Sequence, residues 1–377
     1  MKTRQILIIL FALTQILFAQ SEKEEIRKAI NGYIIGTSYN YPDSVLSSFL
    51  PGANMFLDFK DSPLYIMKIE EYAGRIAKQE RGKFNGRVTN VLSIDQFGGI
   101  ASVKLEVLIP SIKKRFIDFL LVKKLEKGWK IISKTAASES SERTGKKALL
   151  ILSSAYIQGT SDLPAGNSFS EVAIAWDLYQ KAGYHVEIVT PEGGRAPLAY
   201  INPADDLHQN YLYNSDFMYA LNYTLNPVQV NADEYDIVQF TGGSAPIFDI
   251  PENEAIQRIA MHVYEKNHGV IAAVCHGSAG LVNLKRSNGN YLVKGKSVCG
   301  FPDVHERKDL PHYKQYPFII ETVLEERGGL FRHSEKAGTP HMEVDGRLVT
   351  GQNWQSSAMV TKKSIEIAQR ATGNGEQ

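Results

Sequence analysis

The stretch Gly269-Val-Ile-Ala-Ala-Val-Cys-His-Gly-Ser-Ala-Gly-Leu281 decides the fold. It opens on a short, unbroken apolar run, as a strand buried on both faces requires. The run delivers Cys275 to a sharp turn. Ala273 and Gly277 stand two positions away on either side. That is the small-x-nucleophile-x-small spacing of a nucleophile elbow, with cysteine in place of serine. A helix is expected directly after the turn. Its N-terminal partial positive charge would stabilise a thiolate and lower the thiol pKa. The competing reading is a structural cysteine buried in a β–α turn, because cysteine is often buried.

Working outward, the same alternation repeats. Ala148-Leu-Leu-Ile-Leu152 is another continuous apolar run, Val186-Glu-Ile-Val189 a third, and Tyr235 to Phe240 a fourth, followed by Thr241-Gly-Gly243. Helical patterns occupy 169–182 and 253–266. Strands alternating with helices predict a doubly wound, mostly parallel α/β sheet with helices on both faces. Residues 200–230, rich in Tyr, Asn and Asp, read as an insertion over one edge. No G-x-G-x-x-G follows the first strand, which argues against a dinucleotide site.

The first part of the chain has a different rhythm. Ile26, Ile30, Tyr33 and Ile34 form one helical stripe, and 69–79 is a second helix candidate. Period two then takes over: Ala101, Val103, Leu105, Val107 and Ile109 share one face of a strand over 99–109. A strand over 116–125 turns at Lys127-Gly128 into another over 129–132. Helices followed by an antiparallel meander predict an α+β domain. Its order resembles the nuclear-transport-factor-two-like cone, in the lumazine-binding-protein-like branch.

The 377 residues carry 42 Lys+Arg and 41 Asp+Glu, with 43% hydrophobic and 22% charged residues. These are globular values, and they exclude a disordered or polybasic nucleic-acid-binding chain. Two cysteines cannot build a disulfide framework or a four-thiolate zinc site. Lys2 and Arg4 precede an apolar run from Ile6 to Phe18, with Ala19 at the end and an acidic stretch after it. This reads as a secretory signal peptide over 1–20, with an uncleaved anchor as the alternative, and predicts a secreted or periplasmic protein with no membrane segment after cleavage. Removing Lys2 and Arg4 leaves 40 basic against 41 acidic residues, a mature charge of −1. The expected domains are the leader 1–20, the α+β cone 21–138, a polar linker 139–147 and the α/β domain 148–377. All nine histidines and both cysteines lie in the last of these. The cone therefore reads as a ligand-binding or oligomerisation domain, with carboxylate catalysis at Asp58 or Asp61 left open.

Four pieces of the C-terminal part resemble the ThiJ/PfpI superfamily, of glutamine-amidotransferase-like fold, over about residues 146–372. They are Ala272-Ala-Val-Cys-His-Gly277, Tyr235-Asp-Ile-Val-Gln-Phe-Thr-Gly-Gly243, Gly295-Lys-Ser-Val-Cys-Gly-Phe-Pro-Asp303 and Asp345-Gly-Arg-Leu-Val-Thr-Gly-Gln-Asn353. Phe301-Pro-Asp303 and the 317–328 stretch are similar to the heat-shock chaperone and glyoxalase III branch, which implies a stress response. The resemblance implies Cys275 as nucleophile, His276 beside it, Asp303 as the carboxylate pairing with His276, and Glu171 as the glutamate bonded to the thiol. It also implies an oxyanion hole from Gly243 and the His276 N–H. Glu171 as a first-turn helix acid, Asp303 as a turn residue and His276 as a backbone cap are the alternatives. Ser278 and Trp354-Gln355 depart from the family's proline and Pro-Ala at those places. Cys299 reads as buried filler, with a Cys275–Cys299 disulfide left open. His305, His312, Glu306 and Asp309 read as a solvated loop rather than a metal site.

The function this predicts is a cysteine-dependent glyoxalase. It converts small α-oxoaldehydes such as methylglyoxal to hydroxyacids with no glutathione, metal or other cofactor. Deglycation, amidase or peptidase action at Cys275 is the alternative within the family. A non-enzymatic redox-sensing chaperone is the alternative outside enzymes. The expected partner is a small aldehyde, and a homodimer is left open.

Overall fold

The computed structural model describes residues 22–59 and 62–373; the leader expected over 1–20, and Asp61, lie outside them. The chain divides into two compact units, 1–145 and 146–377.

In the first unit, a helix over 22–38 buries Ile26, Ile30 and Tyr33 on the expected stripe. A six-stranded sheet follows in the order Ser62–Lys68, Phe49–Phe59, Gly128–Ser140, Lys114–Leu125, Ile100–Ile109 and Val88–Phe97. Neighbours are antiparallel except Phe49–Phe59 and Gly128–Ser140, which run parallel. Ala101, Val103, Leu105 and Val107 are buried, as alternation requires. Two differences from the sequence reading have local causes. The strand Phe49–Phe59 was not foreseen: Pro51 and Gly52 sit at a register break, with Gly52 in the left-handed region at φ 75°. The last strand runs on to Ser140, because Ser140 and Glu139 pair with Lys114 and Arg115. The expected linker therefore begins inside a strand. Arg143 is held as well, donating at 2.9 Å to the fully buried Glu106.

In the second unit, the sheet order is Met342–Asp345, Leu348–Gly351, Val270–Val274, Tyr235–Phe240, Lys147–Ile151 and His185–Val189. All pairs are parallel except the Met342–Asp345 edge. Side chains alternate between two cores. Leu149, Ile151, Val238, Phe240, Ile271 and Ala273 pack with helices Glu254–Glu265 and Ile320–Glu326. Ala148, Leu150, Ile237, Val270, Ala272 and Val274 pack with helices Phe169–Lys181 and Ser357–Gly373. This is the expected doubly wound sheet. The insertion forms two short helices, Asp206–Leu212 and Ser215–Asn222, capped by Asp205 and Asn214. It is anchored by Phe217, wholly buried among Phe169, Trp176 and Tyr211. Among the described residues, no helix is long and apolar enough to cross a membrane.

Candidate active site

Val270–Val274 is fully buried and has strands on both sides, so its carboxyl end opens into the crevice where such sheets hold their reactive groups. Cys275 is the first residue past that end. Its backbone lies in the left-handed region at φ 57°, a conformation that costs a non-glycine residue about 1–3 kcal/mol. The strain turns the thiol out of the sheet and is the geometry of an elbow.

The neighbouring strand ends in Gly242-Gly243. A methyl group on Gly242 would lie 2.8 Å from Cys275 Cβ and 2.9 Å from both Glu171 Oε2 and Val274 O. Only glycine lets that backbone come close enough to serve the site. The Gly242 N–H donates to Glu171 Oε2 at 2.6 Å. Glu171 stands in the first turn of Phe169–Lys181 and is 1% exposed, and its carboxyl group hydrogen-bonds the Cys275 thiol. Burial pushes the Glu171 pKa up to about 7, partly offset by the Gly242 N–H and the His276 ring.

The thiol responds in the same direction. Burial, and then the Glu171 carboxylate, raise its pKa well above the ordinary value, although the His276 N–H that faces it pulls the other way. This corrects the expectation of a lowered thiol pKa. The segment after Cys275 is a seven-residue 3₁₀ helix, Cys275–Leu281, and desolvation beside a carboxyl group outweighs its terminal N–H groups.

His276 Nδ1 lies 3.4 Å from Cys275 Sγ. Its Nε2 lies 2.8 Å from Glu306 Oε1 and 3.1 Å from the Tyr316 hydroxyl. The ring stacks on Phe301 at 4.8 Å, which fixes its plane. A neutral imidazole carries one N–H. Glu306, an acceptor, draws it to Nε2 and leaves the Nδ1 lone pair facing sulfur.

The expected pairing of Asp303 with His276 is not the one found. Asp303 accepts from Tyr313 at 2.6 Å and pairs with Lys308, while its own N–H donates to Glu321. The 3₁₀ turn Asp303–His305 carries the chain round so that Glu306, three residues on, faces the ring. We expect Glu306→Gln to slow turnover by about tenfold or more, since Gln neither holds an imidazolium nor fixes the tautomer. Asp303→Asn should stay within about threefold of wild type. Steady-state kinetics of both variants decide it; the reverse ranking would restore Asp303.

Gly243, at φ 122°, packs against the backbone of Gly166 and Ser168, where a side chain would meet oxygen and nitrogen at 2.4 and 2.5 Å. Ser278, in place of proline, donates to the Cys275 carbonyl at 2.7 Å and ties the elbow from below. Tyr200, another left-handed residue at φ 60°, bonds Ser244 close enough to Cys275, Glu171 and Glu306 to feel their charges. Glu306, Tyr316 and Tyr200 were missed as site residues. Beside Glu306, Tyr316 and Phe301 is a cavity of about 10 Å³, room for one water molecule. Both cysteines are free thiols. Cys299 is fully buried and donates to the Thr350 carbonyl at 3.0 Å. His305 packs on His333, and His312 on Tyr316. Asp58 is exposed.

Each part of the chain is separately similar to known proteins. Residues 21–136 match the putative lumazine-binding family model. Glutathione-independent glyoxalase HSP31 of Saccharomyces cerevisiae is 32% identical over 234 residues, covering 59% of this chain and 97% of the yeast protein. The crystal structure of glyoxalase III from Candida albicans matches 59% of this chain and 97% of its own, with TM-score 0.54 and 29% identity. The Rapid Encystment Protein 24 KDa of Francisella tularensis matches 59% of this chain and 99% of its own, with TM-score 0.55 and 28% identity. Residues 165–367, more than half of the chain and the part holding Glu171, Cys275, His276 and Glu306, match the DJ-1/PfpI family model, and the chain belongs to that family.

Proposed function

We propose that the protein is an exported, glutathione-independent glyoxalase that converts methylglyoxal and related α-oxoaldehydes to 2-hydroxyacids with Cys275 as nucleophile. The observation that carries this is the Glu171–Cys275–His276–Glu306 chain at the strained elbow. The relatives named as glyoxalases at about 30% identity support it.

Sulfur adds to the aldehyde carbon. The thiol proton passes to His276 Nδ1, and the aldehyde oxygen takes a proton from Glu171, giving a hemithioacetal. The Glu171 carboxylate then removes the proton from that carbon and returns it to the neighbouring carbonyl carbon. His276 gives its proton to the ketone oxygen and takes the proton of the hemithioacetal hydroxyl, so the aldehyde carbon is oxidised to a thioester as the ketone is reduced to an alcohol. Water cleaves the thioester, releasing the hydroxyacid and restoring the thiol. A pKa near 7 suits a carboxyl group that must both give and take this proton at neutral pH. The Gly243 and His276 N–H groups would hold the developing oxyanion. The raised thiol pKa disfavours the redox-sensor reading, which needs an accessible thiolate.

The test is the purified protein with methylglyoxal, following lactate by an enantiospecific assay, and in parallel with glycated peptides and amide substrates. Lactate formed without glutathione supports the proposal. Amide or deglycation turnover in its absence would replace it with hydrolysis. For export, N-terminal sequencing of protein from the producing cell should begin near Ser21.

The two units should be separable. Residues 146–377 produced alone should melt cooperatively and keep at least half of the turnover, since they contain their own cores and the whole Cys275 centre. A folded fragment without turnover would show that residues 21–145 complete the site.

A further inference from the structure

Residues 22–145 carry a pocket of their own, of about 230 Å³ and open to solvent. One wall is the helix Ile69–Ile76 and the turn after it, which supply Tyr72, Arg75, Ile76 and Gln79; Arg87 and Ile109 come from the sheet side. Among the described residues, its lining contains two arginines and no carboxylate.

Arg87 is held in place from several directions. Asn85 donates to the Thr37 carbonyl at 2.7 Å and to Asn40 Oδ1 at 2.9 Å, and its own Oδ1 accepts the Arg87 N–H at 3.1 Å. Asn40 in turn donates to the carbonyls of Glu80 and Lys83. These bonds fix the loop that carries the guanidinium. One terminal nitrogen donates to the Tyr33 hydroxyl at 3.1 Å and lies 3.7 Å from Asp118. Asp118, however, is 1% exposed and already paired with Lys134 at 3.0 Å. Two cations therefore share one buried carboxylate. The Arg87 side chain is only 16% exposed, and its Nε is buried with no acceptor among the described residues. A mostly buried guanidinium with half a counter-charge is costly unless further negative charge is supplied.

Arg75 lies on the same cavity, bonded to Glu71 at 2.8 Å. Ile76, Ile109 and Tyr72 line it beside the two arginines. Cations beside an apolar wall suit an acid with a hydrocarbon body better than an inorganic ion. We propose that this cavity binds a small organic carboxylate, its acid group on Arg87 and Arg75 and its apolar body against Ile76, Ile109 and Tyr72. The volume suits a body of roughly the size of one aromatic ring. The proposal is independent of the reaction at Cys275.

Calorimetric titration of the full-length mature protein with benzoate, its neutral isostere benzamide, and sulfate tests it. Benzoate should bind with one-to-one stoichiometry, at least about tenfold more tightly than either of the others, and more weakly at high salt. Arg75→Gln should weaken benzoate several-fold. Arg75 is half-exposed, so this variant is expected to fold. Arg87→Gln should weaken it by about tenfold or more, and Arg87→Lys by less. Cys275→Ser should leave it unchanged. Equal binding of benzoate and benzamide, no benzoate binding, or loss in Cys275→Ser with retention in Arg75→Gln would each overturn the assignment.

Discussion

Cys275→Ser is expected to abolish methylglyoxal turnover, by a factor on the order of 10³ or more, while leaving the fold intact. Serine is smaller and can keep the hydrogen bonds that the thiol makes with Glu171 and His276, so little packing is lost. What it lacks is nucleophilicity. The thiol here is buried and its pKa raised, so free thiolate is scarce at neutral pH. Addition to an aldehyde must then be coupled to proton transfer onto His276. A hydroxyl group is a far weaker acid than a thiol, so the same transfer becomes steeply uphill. Kinetics, with mass spectrometry of quenched reactions, measure both sides: wild type should carry an acyl adduct on Cys275 and the variant none. Retention of more than about a tenth of the wild-type rate would remove Cys275 as nucleophile. Cys299→Ser is the matched control and should turn over normally. Burial pushes that thiol up to about 12, and it donates into the sheet at Thr350.

Glu171→Gln should cost about 10²–10⁴ in kcat with a much smaller change in KM, because the group moves protons rather than holding substrate. The same substitution should make the protein more stable at alkaline pH. The Glu171 pKa is about 7 in the fold against an ordinary 4.5. Between those values the unfolded chain has lost the proton while the folded chain keeps it. Stability therefore falls as pH rises from about 4.5 to about 7 and levels off above, by up to about 3 kcal/mol from this residue. Asp249, pushed up to about 6 by burial, loses stability over a similar window, so only the difference between wild type and variant isolates Glu171. Denaturation at pH 5 and pH 8 gives that difference. Gln can still accept the Gly242 N–H with its oxygen and turn its NH₂ toward sulfur. If the variant loses as much stability across the window as wild type does, the carboxyl group is not the buried acid described here.

The C-terminal fold was legible because apolar runs buried on both faces leave little choice. Val270–Val274 and Lys147–Ile151 needed only their flanking glycines and polar residues to be placed. Cys275, His276 and Glu171 were legible because each is tied to a regular element, at a strand end or in a first helical turn. The partner of His276 was not. Asp303 and Glu306 lie three residues apart in one irregular loop, and spacing alone cannot tell which carboxylate a tight turn aims inward. Lys308 and Tyr313 compete for Asp303, and that competition exists only in three dimensions. Tyr316 and Tyr200 come from loops with no periodicity at all. In the first unit, the strand holding Pro51-Gly52 hid behind turn-forming residues.

The parallel seam of the first unit bears on how the chain is made. Phe49 pairs with Ile131, and Leu57 with Ala136, so one of the earliest strands synthesised meets that neighbour only when nearly the whole unit exists. Meanwhile the strand it pairs with early, among the described residues, is Ser62–Lys68. Pairings this far apart in sequence form slowly, and an unpaired strand edge invites association between nascent chains. The unit should therefore complete as a single late event during translation. Truncations ending before residue 128 should aggregate in pelleting assays, and those ending after residue 145 should not.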